Sequence, residues 1–216
     1  MKMGFCMGGL EEQIIRCAKR VAEEFDEVTY VEIGVGEGTT LTAIASLVRE
    51  SGKKWRAAGI ELVNGYSFNR ARTEEVALNR ALVINFVTPN GLVVRPPWNV
   101  VTVYFKDSQS FLTESWQEPI QFALIDGCHG KPCVILDFLA VEAFLVPGGI
   151  VMFHDFSAEQ FGYKQPHCPT GCDVLGACYE LGLTNGKRVG WKQLETMRAD
   201  RTKDGWDMGV FQRTKI

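Results

Sequence analysis

Short apolar runs alternate with segments of helical periodicity along most of the chain, and this alternation constrains the fold more than any other feature. Apolar residues recur at helical spacing from Leu10 to Phe25 (Leu10, Ile14, Cys17, Ala18, Val21, Phe25), which predicts an N-terminal helix within residues 1–27. After it the pattern reads strand Thr29–Ile33, helix Thr39–Arg49, strand Ala57–Leu62, helix Ser67–Val83 and strand Val100–Phe105. Strand Ile120–Ile125, helix Pro132–Leu145, strand Gly149–Phe153 and helix Asp173–Leu181 continue it. Such an order predicts an α/β fold, a doubly wound and mostly parallel sheet with helices on both faces. Two late strand-like runs, Val189–Met197 and Met208–Arg213, are joined by a polar turn containing Asp204-Gly205 and predict an antiparallel C-terminal hairpin, for about seven strands in all. A length of 216 residues fits one domain spanning 1–216. Segments 85–99 and 156–171 exceed ordinary connections and read as surface excursions.

Composition removes several function classes. With 46% hydrophobic and 23% charged residues the chain is of globular type, and a net charge of -3 disfavours a surface built for nucleic acid. Lys187, Arg188, Lys192, Arg198, Arg201 and Lys203 cluster near the C-terminus and read as a solvated hairpin face. The start, MKMGFCMGGLEEQ, lacks the apolar core of a signal peptide, and the longest uncharged apolar run, Ala143–Phe153, is too short to span a bilayer. A soluble, cytoplasmic protein without membrane association is expected. Seven cysteines, an odd number, do not make a disulfide framework. His167, Cys168, Cys172 and Cys178 are zinc-ligand types, but their spacing is that of no recognised finger, so packed thiols and a loop histidine are expected.

The first strand runs into VEIGVGEGTT, with Gly34, Gly36 and Gly38 at alternate positions. In an open parallel sheet ligands sit beyond the carboxyl ends of the strands where strand order reverses, which marks this loop. The spacing is one residue off the dinucleotide fingerprint G-x-G-x-x-G, since the third glycine of that pattern would fall at Thr39. Glu32 and Glu37 flank the turn, and a pyrophosphate about 5 Å from one carboxylate would meet repulsion of roughly 3 kcal/mol at an effective dielectric of ~20. A ligand with an amine and a sulfonium meets none. Glu61 ends the second strand, where a carboxylate can accept hydrogen bonds from ribose hydroxyls, and Asp107 follows the third, placed for an exocyclic adenine amine.

The series Glu32-x-Gly34-x-Gly36-x-Gly38, Glu61 and Asp107-Ser108, closed by the hairpin, resembles the class I S-adenosylmethionine-dependent methyltransferases from about Val28 to the end. IDGCHG (Ile125–Gly130) and the later PGGIVMFHD resemble methyltransferase family 24 within that class. The resemblance implies a Rossmann-like fold, S-adenosylmethionine (SAM) as cofactor, and cofactor contacts from Glu32, Gly34, Gly36, Gly38, Glu61, Asp107, Ser108 and Asp126.

Transfer of a methyl group to oxygen needs an acceptor hydroxyl activated by a base or a cation. The fourth strand ends at Asp126 with His129 three residues on, and the fifth ends at His154-Asp155. The placement resembles the metal-assisted small-molecule O-methyltransferases, which implies Mg²⁺ on Asp126, His154 and Asp155; it departs from them in having His129 for the catalytic lysine and His154 for an acidic ligand. The metal-free alternative makes His129 and His154 the bases. The Asn/Asp-Pro-Pro-aromatic tetrad that the wider family associates with amide and base N-methylation is absent. Phe161, Tyr163 and Trp98 are candidates to cover the acceptor. The leading expectation is O-methylation of a small-molecule acceptor, a sugar or phenol, with homo-oligomerisation left open. A SAM-binding partner subunit without turnover is the alternative, and the glycine register disfavours a nicotinamide oxidoreductase.

Overall fold

The computed structural model describes residues 10–62, 68–88, 96–156, 172–198 and 207–215. The chain opens with α1 (Leu10–Glu24), whose Ile14, Cys17, Ala18 and Val21 are buried at the expected helical spacing. Then come β1 (Glu27–Ile33), α2 (Thr39–Glu50), β2 (Lys54–Glu61), α3 (Arg70–Asn79), β3 (Val83–Val87), β4 (Val100–Phe105) and α4 (Ser108–Glu114). The remainder is β5 (Ile120–Ile125), α5 (Lys131–Glu142), β6 (Leu145–His154), α6 (Val174–Glu180), β7 (Trp191–Arg198) and β8 (Asp207–Arg213). Side-chain caps start three helices: Asn69 accepts from the Arg72 N–H, Asp107 from Ser110 and Asp173 from Gly176, each satisfying an amide that helical geometry leaves without a partner.

One sheet takes the order β3-β4-β2-β1-β5-β6-β8-β7, parallel from β3 through β6 and antiparallel at β8 and β7. The expected doubly wound sheet and C-terminal hairpin are both present. Strand order reverses between β1 and β5, so the loops after these strands flank the crevice. β1, β5 and β6 are interior and almost wholly buried, as expected where helices cover both faces. Two apolar clusters fill the two sides, one centred on Val28, Tyr30, Leu41 and Phe122, the other on Val31, Ile33, Phe138 and Phe153.

Among the described residues the sheet has eight strands, one more than the seven expected from the sequence. The helix expected over Ser67–Val83 stops at Asn79, Ala81 turns the chain at φ 51°, and the β-branched run Val83–Val87 pairs in parallel with Val100–Tyr104. Asn85–Val87 therefore belong to an edge strand and not to an excursion, while 89–95 lie outside the described residues. α4, which the sequence reading missed, has seven residues, too few for periodicity to reveal. The Asp204-Gly205 turn, Phe161, Tyr163, His167 and Cys168 lie outside the described residues. Among the described residues no helix is long and apolar enough to cross a membrane.

Trp98 does not cover an acceptor. It lies over Lys54 and Arg56 at the opposite end of the sheet from Glu61, with the Arg56 guanidinium carbon 4.0 Å from its ring centroid. Arg188, expected on a solvated face, bonds to Glu142 through Nε at 2.8 Å and through Nη2. Cys178 is fully buried in α6 and Cys172 packs against Cys128, as the packed-thiol reading expects.

Candidate active site

The glycine loop is fixed from three directions. Gly34 donates its N–H to the Ile60 carbonyl at 2.9 Å, extending the β1–β2 ladder, and the Asp126 N–H bonds to Ile33 O at 2.8 Å, extending β1–β5. The third tie runs from the Asn69 N–H to Gly36 O at 3.1 Å. Gly34, Gly36 and Gly38 all have positive φ, at 84°, 54° and 70°, conformations that side chains disfavour. A Cβ on Gly34 would stand 2.2 Å from the Asp126 carbonyl oxygen, so the glycine is what lets the loop close onto β5.

Glu61 arrives from β2 and folds over this loop. Its Oε2 accepts the N–H groups of Val35 at 2.9 Å and Gly36 at 3.2 Å, and its Oε1 accepts that of Leu62 at 3.0 Å. The carboxylate expected to meet a ribose thus also holds the loop's shape. Glu32 differs from its expected role as a charged flank. It is 1% exposed and accepts the Tyr30 hydroxyl at 2.5 Å, and burial pushes its carboxyl well above the usual range. The exposed negative charge beside the loop is Glu37, which Arg72 approaches at 4.0 Å. Asp107 caps α4, and the Ser108 hydroxyl donates to Asp137 at 2.6 Å, so both stand at the edge of the crevice already bonded within the chain.

Across the crevice the ends of β5 and β6 bring four polar side chains together. Asp126 Oδ1 lies 3.0 Å from His154 Nδ1 and 3.3 Å from His129 Nε2. Behind them Asp155 approaches His129 Nδ1 at 3.1 Å through Oδ2 and His154 Nδ1 at 3.1 Å through Oδ1. Asp155 reaches back because its backbone is left-handed, at φ 53°, a conformation aspartate tolerates. The Asp155 side chain is fully buried, His129 and His154 nearly so, and Asp126 is the open member at 29% exposure. Burial alone would drive Asp126 neutral, yet the two imidazoles outweigh it and hold the carboxyl down at about 2. Burial likewise opposes charge on His129, but Asp126 and Asp155 overcome it and lift the imidazole to about 10. His154 is raised and Asp155 lowered by the same mutual contacts against burial.

This geometry, a glycine loop and acidic strand end facing a polar cluster at the strand-order reversal, agrees with the comparisons with known proteins. The model of the family Methyltransf_24, described as "Methyltransferase domain", matches residues 31–156, more than half of the chain. The chain belongs to this methyltransferase family. No curated protein matches it in sequence. The methyltransferase shares its fold with TomG, an O-methyltransferase from Streptomyces achromogenes involved in tomaymycin synthesis and solved with SAM. TomG is 13% identical at a TM-score of 0.63, with 94% of this chain and 80% of that one covered. An O-methyltransferase from Bacillus cereus in complex with SAH is 16% identical at a TM-score of 0.61, covering 94% and 81%. An rRNA methylase from Streptococcus thermophilus, 12% identical at 0.57 with coverage of 92% and 94%, is similar too. The fold is thus common to methyltransferases with unlike acceptors.

The donor chemistry at Asp126 does not suit Mg²⁺, the metal the O-methyltransferase resemblance implied. Mg²⁺ takes oxygen ligands in a near-octahedral shell, whereas this cluster offers one partly open carboxylate, two imidazoles and a second carboxylate shut behind them. Two further groups went unnoticed in the sequence. Tyr30 could have been found from strand alternation, which sets positions 30 and 32 on one face. Asp137 could not, because a single acidic residue in an apolar helix gives no sign of its partner on another helix; it is 3% exposed, and burial raises its carboxyl to about 6.

Proposed function

We propose that this methyltransferase transfers the methyl group of SAM to a hydroxyl of a small molecule. The observation that carries the reading is the quartet Asp126, His129, His154 and Asp155, set at the ends of β5 and β6 across from the glycine loop. The missing Asn/Asp-Pro-Pro-aromatic tetrad supports oxygen over nitrogen.

When bound, SAM supplies an electrophilic methyl group on a sulfonium. The loop at Gly34, Gly36 and Gly38, with Glu32 behind it, would receive the amino-acid end, Glu61 the ribose, and Asp107 and Ser108 the adenine. Asp126 would stand between the cofactor and acceptor and accept a hydrogen bond from the acceptor hydroxyl, aligning its oxygen with the methyl carbon. The proton released passes to the imidazole pair. Asp155 stabilises the imidazolium, so the pair is largely protonated near pH 7 and takes the acceptor's proton only in the fraction already neutral; turnover should climb as pH rises toward about 10. Mg²⁺ is left out of this reading because the donor set does not suit it.

The test has two arms. Calorimetric titration with S-adenosylhomocysteine checks the cofactor site, and Glu61→Ala should weaken that binding at least ~10-fold by freeing the loop. Transfer of isotopically labelled methyl to a panel of phenols and sugars checks the acceptor class. His129→Ala and His154→Ala should lower turnover by about 10²–10⁴ with S-adenosylhomocysteine binding retained. Unchanged turnover in both variants, or label transferred only to amines, would overturn the reading.

A further inference from the structure

The separations among Asp126, His129 and His154 suit a shared ligand point as well as they suit hydrogen bonds. One ligand atom from each, a carboxylate oxygen and two imidazole nitrogens, lies within 4.8 Å of the others. Ligands about 2.1 Å from a metal that subtend 90–109° stand about 3.0–3.4 Å apart. The separations from Asp126 Oδ1 are 3.0 Å to His154 Nδ1 and 3.3 Å to His129 Nε2.

The outer contacts fit the same arrangement. His129 turns Nε2 to the shared point and Nδ1 toward Asp155 Oδ2, 3.1 Å away, an ion-pair contact on the side where outer carboxylates back metal-bound histidines. Asp155, fully buried, backs both imidazoles, with Oδ2 3.1 Å from His129 Nδ1 and Oδ1 3.1 Å from His154 Nδ1. Asp126 supplies the open side, where an exogenous oxygen could complete the coordination. With neutral imidazoles the two carboxylates leave a charge that one divalent cation balances.

We infer that Asp126, His129 and His154 form a binding site for a divalent first-row transition metal of the kind that accepts imidazole nitrogen, such as Zn²⁺, Co²⁺ or Fe²⁺, in preference to Mg²⁺. Two nitrogens and one carboxylate oxygen with an open side are the donor set of such ions, whereas Mg²⁺ prefers oxygen alone. This inference rests on taking the quartet as the acceptor-facing end of the site: His129 and His154 become ligands and give up the role of proton acceptors, which falls to Asp126 on the open side, and Asp155 becomes their positioning residue.

The experiment titrates chelator-stripped full-length protein with Co²⁺ and separately with Mg²⁺, following the visible Co²⁺ spectrum and the heat of binding. S-adenosylhomocysteine titrated into every sample reports on the cofactor site. One equivalent of Co²⁺ should bind with a ligand-field spectrum indicating nitrogen ligation, Zn²⁺ should displace it, and excess Mg²⁺ should not. His129→Gln should abolish the spectrum. Asp155→Asn, which keeps shape and backbone preference, should fold and lose ~10–100-fold in Co²⁺ affinity. Mg²⁺ competing on equal terms, no Co²⁺ binding by a protein that still takes up S-adenosylhomocysteine, or full Co²⁺ affinity in both variants would overturn the inference while leaving the methyltransferase reading intact. Failure to bind S-adenosylhomocysteine would instead count against the cofactor assignment.

Discussion

Gly34→Ala tests whether closure of the glycine loop onto β5 rests on one missing methyl group. Two costs arise at this position. The backbone sits at φ 84°, which an L side chain occupies at a penalty of about 1–2 kcal/mol. The new Cβ would also stand 2.2 Å from Asp126 O, 2.6 Å from Asp126 C and 2.8 Å from Gly127 Cα. These are backbone atoms held by the β1–β5 ladder, so no rotamer change relieves the contact, and overpacking of this kind costs about 1–3 kcal/mol more. Gly52→Ala provides the internal control, because Gly52 has φ 74° but nothing within 4 Å of its added Cβ. Chemical denaturation should therefore place Gly34→Ala about 2–5 kcal/mol below the parent and Gly52→Ala about 1–2 kcal/mol below. In a domain of this size the gap between them corresponds to ~2–12 °C in melting temperature. Because Asp126 moves with the displaced backbone, Gly34→Ala should also lose S-adenosylhomocysteine affinity, and Gly52→Ala should not. Equal stability of the two variants would show that the loop yields freely, and the argument from close approach would fail.

Asp137→Asn should stabilise the protein at neutral pH. The native carboxyl keeps its proton to about pH 6, whereas an unfolded aspartate releases it near 3.8, so the native state binds more protons between these values and stability falls as pH rises through that window. The span amounts to about 3 kcal/mol, and the amide, which still accepts from Ser108, should recover much of it above pH 6 while matching the parent near pH 4. A pH series of denaturation midpoints with a constant offset would refute this. Glu118→Ala should cost about 3–5 kcal/mol, because Arg56, 2% exposed and 2.7 Å from Glu118, loses its carboxylate in a buried setting; Arg56→Met with Glu118→Leu should recover most of the loss.

Much of the fold was legible because its strongest signals are periodic. Buried parallel strands such as Ile120–Ile125 read as unbroken apolar runs, and the glycine loop reads from its spacing. β3 was hidden because it is a half-exposed edge strand directly after a helix, where the two patterns merge, and α4 because two turns give no period. At the site, the sequence could place Asp126, His129, His154 and Asp155 at two strand ends. It could not show that Asp155 turns inward, since that depends on a single left-handed residue. Nor could it show that Glu32 is buried against Tyr30, which turns on the helices packed over that face. Local pattern reveals which strand end a residue occupies; the partner it meets there is decided by tertiary packing.

The order β3-β4-β2-β1-β5-β6-β8-β7 has a consequence for how this molecule can be altered. The strands that carry the glycine loop and the quartet each have a neighbour on both sides, so a slip in register there must break two ladders at once. At the margins, among the described residues, β3 and β7 have one neighbour each, and a slip there breaks a single ladder. Chemistry and tolerance are therefore separated across the sheet. Strands could be added, exchanged or fused at either margin while the central three keep their alignment, which makes the margins the natural points of attachment for new elements.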